Sequence, residues 1–124
     1  MSARDLGVHG EKLACDYLKR KNYQVIETNF RVRSGEIDII ASRKNILCFV
    51  EVKTRVNVAQ GQPYESLTPH KIRTLIHTAK LYMQWRETNY EAYQFDVLSI
   101  LMGPRGDAKI EHIENAFQEE GAEW

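Results

Sequence analysis

Apolar residues recur at helical spacing between about Val8 and Lys21, where Leu13 with Tyr17 and Ala14 with Leu18 stand four apart. Asn22 is a natural stop for such a helix. The period then shortens to two. Tyr23–Phe30 (YQVIETNF) predicts a first strand and Glu36–Ala41 a second. Ser42–Asn45 is a polar turn, and Ile46–Lys53, rich in β-branched residues, predicts a third strand. Asn57–Tyr64 (NVAQGQPY) reads as a loop. A second helix has local start signals: Thr68 is a good N-cap, Pro69 suits the first helical position, and Leu67 with Ile72 has the spacing of a hydrophobic staple. Ile72, Leu75, Ile76, Ala79 and Met83 carry that helix to about Glu87. Phe95–Leu101 (FDVLSIL) predicts a fourth strand, Gly103–Asp107 a turn, and Lys109–Ile113 a short edge strand.

The order α-β-β-β-α-β, with one short strand more, predicts an α/β fold in which helices flank a central mixed sheet. Ile46–Lys53 begins apolar on both faces, which suits a central strand. A chain of 124 residues has the size of one domain with one core. Residues 1–115 are expected to form it, and 116–124 to be an acidic, weakly ordered tail.

The second and third strands contain residues that an apolar core does not ask for. Glu36, Asp38 and Ile40 share one strand face; so do Leu47, Phe49, Glu51 and Lys53. Glu51 and Lys53 are therefore neighbours, roughly 6.5–7 Å apart along the strand. Folding the two strands about the 42–45 turn brings Asp38 near the 49–51 region. On a helical wheel Glu11 shares a stripe with Cys15 and Leu18, so it points toward the sheet. Each residue alone has a plainer reading: Glu51–Lys53 a surface ion pair, Glu11 a first-turn acid facing the helix dipole, Asp38 a loop cap. Together they would repel, and their burial costs several kcal/mol each unless a cation compensates. One lysine cannot offset three acids, whereas a divalent cation can. Hard oxygen donors favour Mg²⁺ or Mn²⁺. An ion on Asp38 and Glu51 would polarise a phosphoryl oxygen, and Lys53 would orient the attacking water or stabilise developing charge.

The strings HGEKLACDYL, NFRVRSGEIDIIA, FVEVKTR, LTPHK and QFDVL carry a resemblance that runs from about Gly7 to Leu101. The chain resembles the YraN-type family of small, endonuclease-like bacterial proteins, within the PD-(D/E)XK nuclease superfamily. It is also similar to archaeal Holliday-junction resolvases. The resemblance implies a restriction-endonuclease-like core and a Mg²⁺- or Mn²⁺-dependent endonuclease. It places Asp38 and Glu51 on the metal-binding acids, Lys53 on the catalytic lysine, Glu11 on the helix-one acid, and the Val52 carbonyl as a further metal ligand. The motif's proline is replaced here by Ile37. The implied partner is nucleic acid, DNA ahead of RNA and branched or structured DNA in particular. Resolvase-like relatives act as dimers, so a homodimer is compatible with the resemblance, while the sequence itself carries no interface signal beyond an apolar strand face and leaves oligomeric state open.

Net charge is zero, so bulk charge names no partner. The five acids after Ile110 leave 17 basic and 12 acidic residues before them, a mildly basic body that permits nucleic-acid binding. Arg31, Arg33 and Arg55 are candidates for a phosphate-binding rim, as are His70 and Lys71 at a helix start, where backbone N–H groups also meet anions. Asp96, inside an apolar strand, is either a buried hydrogen-bonded acid or a support to the site. The four histidines lack a ligand spacing, so zinc is not expected. Cys15 and Cys48 suit small buried hydrophobes rather than a disulfide. MSARDLGVHGEK lacks the apolar stretch of a signal peptide, and no run nears the ~20 residues of a membrane span. The expected location is therefore the cytoplasm, without a membrane partner. A second reading is a nuclease fold that holds nucleic acid or a partner protein without cutting; a third is a purely structural ion-pair cluster.

Overall fold

The computed structural model describes residues 2–56 and 67–118. The expected 57–64 loop and most of the acidic tail lie outside them. Two helices and five strands run in the order α1 (Ala3–Arg20), β1 (Gln24–Val32), β2 (Gly35–Arg43), β3 (Ile46–Arg55), α2 (Pro69–Arg86), β4 (Ala92–Met102) and β5 (Ala108–Phe117). Sheet order is β1-β2-β3-β4-β5, with β3 and β4 parallel and the other pairs antiparallel. This is a mixed α/β sheet consistent with a restriction-endonuclease-like core. Among the described residues no helix is long and apolar enough to cross a membrane.

α1 begins at Ala3 rather than near Val8. Ser2 accepts the Asp5 N–H, and the Asp5 carboxylate takes the Ser2 N–H in return, so a capping box starts the helix before its apolar rows begin. α2 starts as read from its cap: the Thr68 hydroxyl accepts the Lys71 N–H and Pro69 opens the helix. Leu67 and Ile72 pack onto the same core cluster.

The helices cover opposite faces of the sheet. Ala14 and Leu18 of α1 pack on Ile39, Cys48, Val50, Leu98 and Ile100. Leu75, Ile76, Ala79 and Tyr82 of α2 pack on Phe30, Ile40, Leu47, Phe49 and Phe95. Both cysteines are free thiols. β4 and β5 outrun their apolar patterns. β4 pairs continuously with β3, from Ile46 opposite Ala92 to Arg55 opposite Leu101, so ladder hydrogen bonds extend it past FDVLSIL. β5 passes Ile113 because Phe117 stacks on Phe95 with ring centroids 4.8 Å apart. Residues 116 and 117, assigned by sequence to the weak tail, are thus part of a strand.

One glycine sets how closely α1 approaches the sheet. A Cβ on buried Gly10 would overlap the Thr54 side chain of β3. Threonine is stiff at χ1, so relief requires the helix to lift. Gly10→Ala is therefore expected to destabilise the fold by about 1–3 kcal/mol, against the ~1 kcal/mol by which alanine outdoes glycine inside a helix. Urea unfolding of the two proteins checks this; an unchanged or raised midpoint would show that the contact is slack.

Candidate functional site

The hairpin between β2 and β3 aligns the two acids. Its two-residue loop, Lys44–Asn45, has φ values of 52° and 63°, the left-handed pair whose twist suits adjoining antiparallel strands. Ile40 then faces Phe49, and the same register two residues on sets Asp38 against Glu51. The paired ladder stops at Ile39 and Val50. Beyond it, Asp38 Oδ2 accepts the Val52 N–H at 2.8 Å, so a side chain replaces a strand partner and holds the carboxylate at the sheet's opening end.

The two carboxyls hydrogen-bond to each other. Burial, reinforced by that bond and by the Glu51 charge, pushes Asp38 up to about 8, against the opposing pull of the Val52 N–H and Lys71. Glu51 is only 11% exposed and lies 3.5 Å from Lys71 Nζ. Lys71 comes from the first turn of α2 and supplies a second cation that sequence reasoning had placed only on a phosphate rim. The local signal for it was the Thr68 cap, which fixes where that turn begins. Lys53 and Lys71 also contact each other. Burial and the neighbouring Lys71 lower Lys53. Lys71 is itself pulled down by burial, but its contacts with Lys53 and Glu51 outweigh that and raise it. Of this touching pair, Lys53 is the one that gives up its proton first.

Two clefts meet here and share Glu36 and Asp38. One, about 520 Å³, runs past Arg4, Gly7, Val8, Glu11, Asn29, Val52, Lys53 and Thr54. The other, about 340 Å³, is closed by Glu51, Lys71, Thr74 and Leu75. Glu11 stands in the wall of the first, where its carboxylate accepts from Asn29 Nδ2 at 2.7 Å. Burial raises Glu11, as do the charges of Asp38 and Glu36, while the Asn29 bond opposes. Among the described residues Glu11, Asp38 and Glu51 do not close into a group with oxygens all within 4.8 Å. The acids form a pair with a third across the cleft.

Residues 10–100 match the family described as "Uncharacterised protein family UPF0102". The chain belongs to the UPF0102 family. It is 44% identical over 114 residues to a UPF0102 protein of Syntrophomonas wolfei, covering 92% of this chain and 98% of that one. UPF0102 proteins of Chlorobium phaeobacteroides (40% over 120 residues; 93% and 94% covered) and Clostridium novyi (41% over 115 residues; 92% and 96% covered) are similarly close.

The remaining rim candidates of this UPF0102 member separate. Arg31 pairs with Glu36, one of the two residues the clefts share, at 3.3 Å and is mostly exposed. Arg33 and His70 are exposed and line neither cleft. Arg55 points inward: Nη2 donates to Ser99 Oγ at 3.3 Å, while Nε and Nη1 are covered and have no hydrogen-bond partner among the described residues. Unpaired buried N–H groups of this kind cost about 1–3 kcal/mol, more when charged, so this guanidinium stands to gain from an anion. Asp96 lies apart from the Asp38–Glu51 pair; its carboxylate bonds Gln94, His112 and the Asn115 N–H instead.

Proposed function

We propose that this protein is a divalent-metal-dependent endonuclease that hydrolyses phosphodiester bonds in nucleic acid, with branched or structured DNA as the first substrate class to try. The observation that carries the reading is the Asp38–Glu51 carboxyl pair beside Lys53, set where two clefts meet. Two hydrogen-bonded carboxyls share a proton that a Mg²⁺ or Mn²⁺ ion would replace, and their hard oxygens, with the Val52 carbonyl, fit such an ion. When bound, the ion supplies Lewis-acid polarisation of the phosphate and a more acidic water.

The chain's own residues do the rest. Asp38 is held in place by the Val52 N–H. Lys53, in its lowered state, orients a water or meets charge developing on the phosphate. Lys71, held against Glu51, keeps cationic charge beside the acids, and Arg55 lies behind Lys53 on the same strand face. Glu11 contributes across the larger cleft.

The Lys71–Glu51 contact also favours a second reading, a nuclease fold that binds nucleic acid or a partner protein without cutting, because an ammonium already partners one acid. One panel separates the two: plasmid, single-stranded and four-way-junction DNA, and structured RNA, each with Mg²⁺, Mn²⁺ or EDTA. Cleavage that requires metal and vanishes in Asp38→Asn is the expected result. Binding without cleavage, unaffected by metal, would replace the nuclease by the binding module.

A further inference from the structure

A second polar cluster, buried at Asp96, nearly so at His112 and open at Glu114, lies at the seam of β4 and β5. Its origin is an irregularity in pairing. Phe95 pairs with Phe117 but Val97 pairs with Ile113, so residues 114–116 of β5 stand opposite Asp96 alone. Asn115 absorbs the distortion at φ 51°, a left-handed conformation asparagine tolerates. The unpaired Asn115 N–H turns to Asp96 Oδ1 at 2.9 Å, beside Gln94 Nε2 at 2.9 Å. Oδ2 faces His112 Nε2 at 2.8 Å. Bulges of this kind re-aim side chains, and here His112 and Glu114 are brought to the same carboxylate.

Asp96 is fully buried and the His112 side chain is 9% exposed. Donor atoms of Asp96, His112 and Glu114 all lie within 4.8 Å of one another. The outer end is a groove of about 60 Å³ at Glu114, lined also by Tyr23, Arg43, Cys48 and Gln94. Charge does not balance within the cluster. Two carboxylates meet one guanidinium, Arg43, 3.7 Å from Glu114. Glu114 is half exposed, so Asp96 is the buried charge of the cluster; hydrogen bonds meet it but no guanidinium among the described residues does, and a metal ion beside it would offset the cost of its burial.

We propose that Asp96, His112 and Glu114 form a metal site for a first-row transition ion of the zinc class, distinct from the Asp38–Glu51 pair. One imidazole nitrogen with two carboxylate oxygens selects such ions over Mg²⁺. Two donors on a tetrahedral zinc, each ~2.0–2.2 Å from it, sit roughly 3.3–3.6 Å apart, so the Asp96 and His112 atoms, 2.8 Å apart across a hydrogen bond, must part slightly to admit an ion. The outer contacts are of the expected kind. Tyr17 Oη lies 3.4 Å from His112 Nδ1, placed to accept its proton once Nε2 holds an ion. The Tyr23 hydroxyl donates to Glu114 at 3.3 Å and orients that carboxylate. Histidine spacing alone missed the site because only one histidine takes part; the other donors come from a neighbouring strand and across a bulge.

The test is a titration of the purified, metal-stripped full chain with Zn²⁺ alone, competed against a chromophoric chelator, with the melting temperature read in parallel. The wild type and Asp38→Asn should each bind one equivalent at this site and melt higher with zinc, and a hundredfold excess of Mg²⁺ should not displace it. Glu114→Gln, at an exposed position, should fold normally and bind at least tenfold more weakly. His112→Gln, which can still donate to Asp96, should do the same. Unchanged zinc affinity in both variants, or no zinc binding by the folded wild type, would overturn the proposal and leave the cluster as a hydrogen-bonded support for the bulge.

Discussion

Lys53→Ala should reduce metal-dependent cleavage by about 10²–10⁴-fold, the usual contribution of a positioned proton-transfer or charge-stabilising side chain. Nucleic-acid binding should fall much less, because the exposed Arg31 and the partly exposed Lys71 at the clefts remain. The reason is positional. Lys53 lies two residues beyond Glu51 on the same face of β3, in the wall of the cleft that also holds Asp38 and Glu11. It is lowered by burial and by contact with Lys71, so removing it deletes the more readily deprotonated amine of the pair. Single-turnover cleavage and a binding isotherm, measured on the same junction substrate, check the split. Cleavage at the wild-type rate would remove Lys53 from the reaction. Parallel loss of binding and cleavage would make it a phosphate contact only.

The second large effect is on stability. Asp38→Asn should stabilise the metal-free protein at pH 8–9 while abolishing any stabilisation by Mg²⁺ or Mn²⁺. In the fold, burial and Glu51 push the Asp38 carboxyl up to about 8; in the unfolded chain it ionises near the ordinary value of ~3.9. Between those values the native state holds a proton that the unfolded state releases. Stability of the metal-free wild type therefore falls as pH rises from about 4 to about 8. Asparagine keeps an oxygen for the Val52 N–H and carries no charge, so it escapes that loss. A tenfold difference in proton affinity is worth about 1.4 kcal/mol, or about 3–6 °C in melting temperature for a chain of this size. Thermal unfolding in EDTA across pH 4–9, repeated with metal, reads both halves. An asparagine variant that melts below the wild type at pH 8.5 would show that the buried acid is compensated within the chain.

Much of the acid pair was legible because it depends on local rules. The hairpin turn sets the β2–β3 register, alternation sets the faces, and together they put Asp38 against Glu51. The start of α2 was legible for the same reason, since Thr68 and Pro69 act on their own first turn. Glu11 was legible only as a direction. Its helix lies on β3 through Gly10 and Thr54, and Asn29 of the far edge strand then takes the carboxylate.

By itself the sequence determined the class of fold, the central strands and the spacing of Asp38, Glu51 and Lys53, because period and hairpin geometry act over a few residues. Only the tertiary structure decided that Lys71 reaches Glu51 across twenty residues of chain, that Arg55 turns inward, and that His112 and Glu114 meet Asp96 at a bulge. Those contacts depend on how helices seat on opposite faces and how one ladder slips, and burial then fixes which charges must find each other.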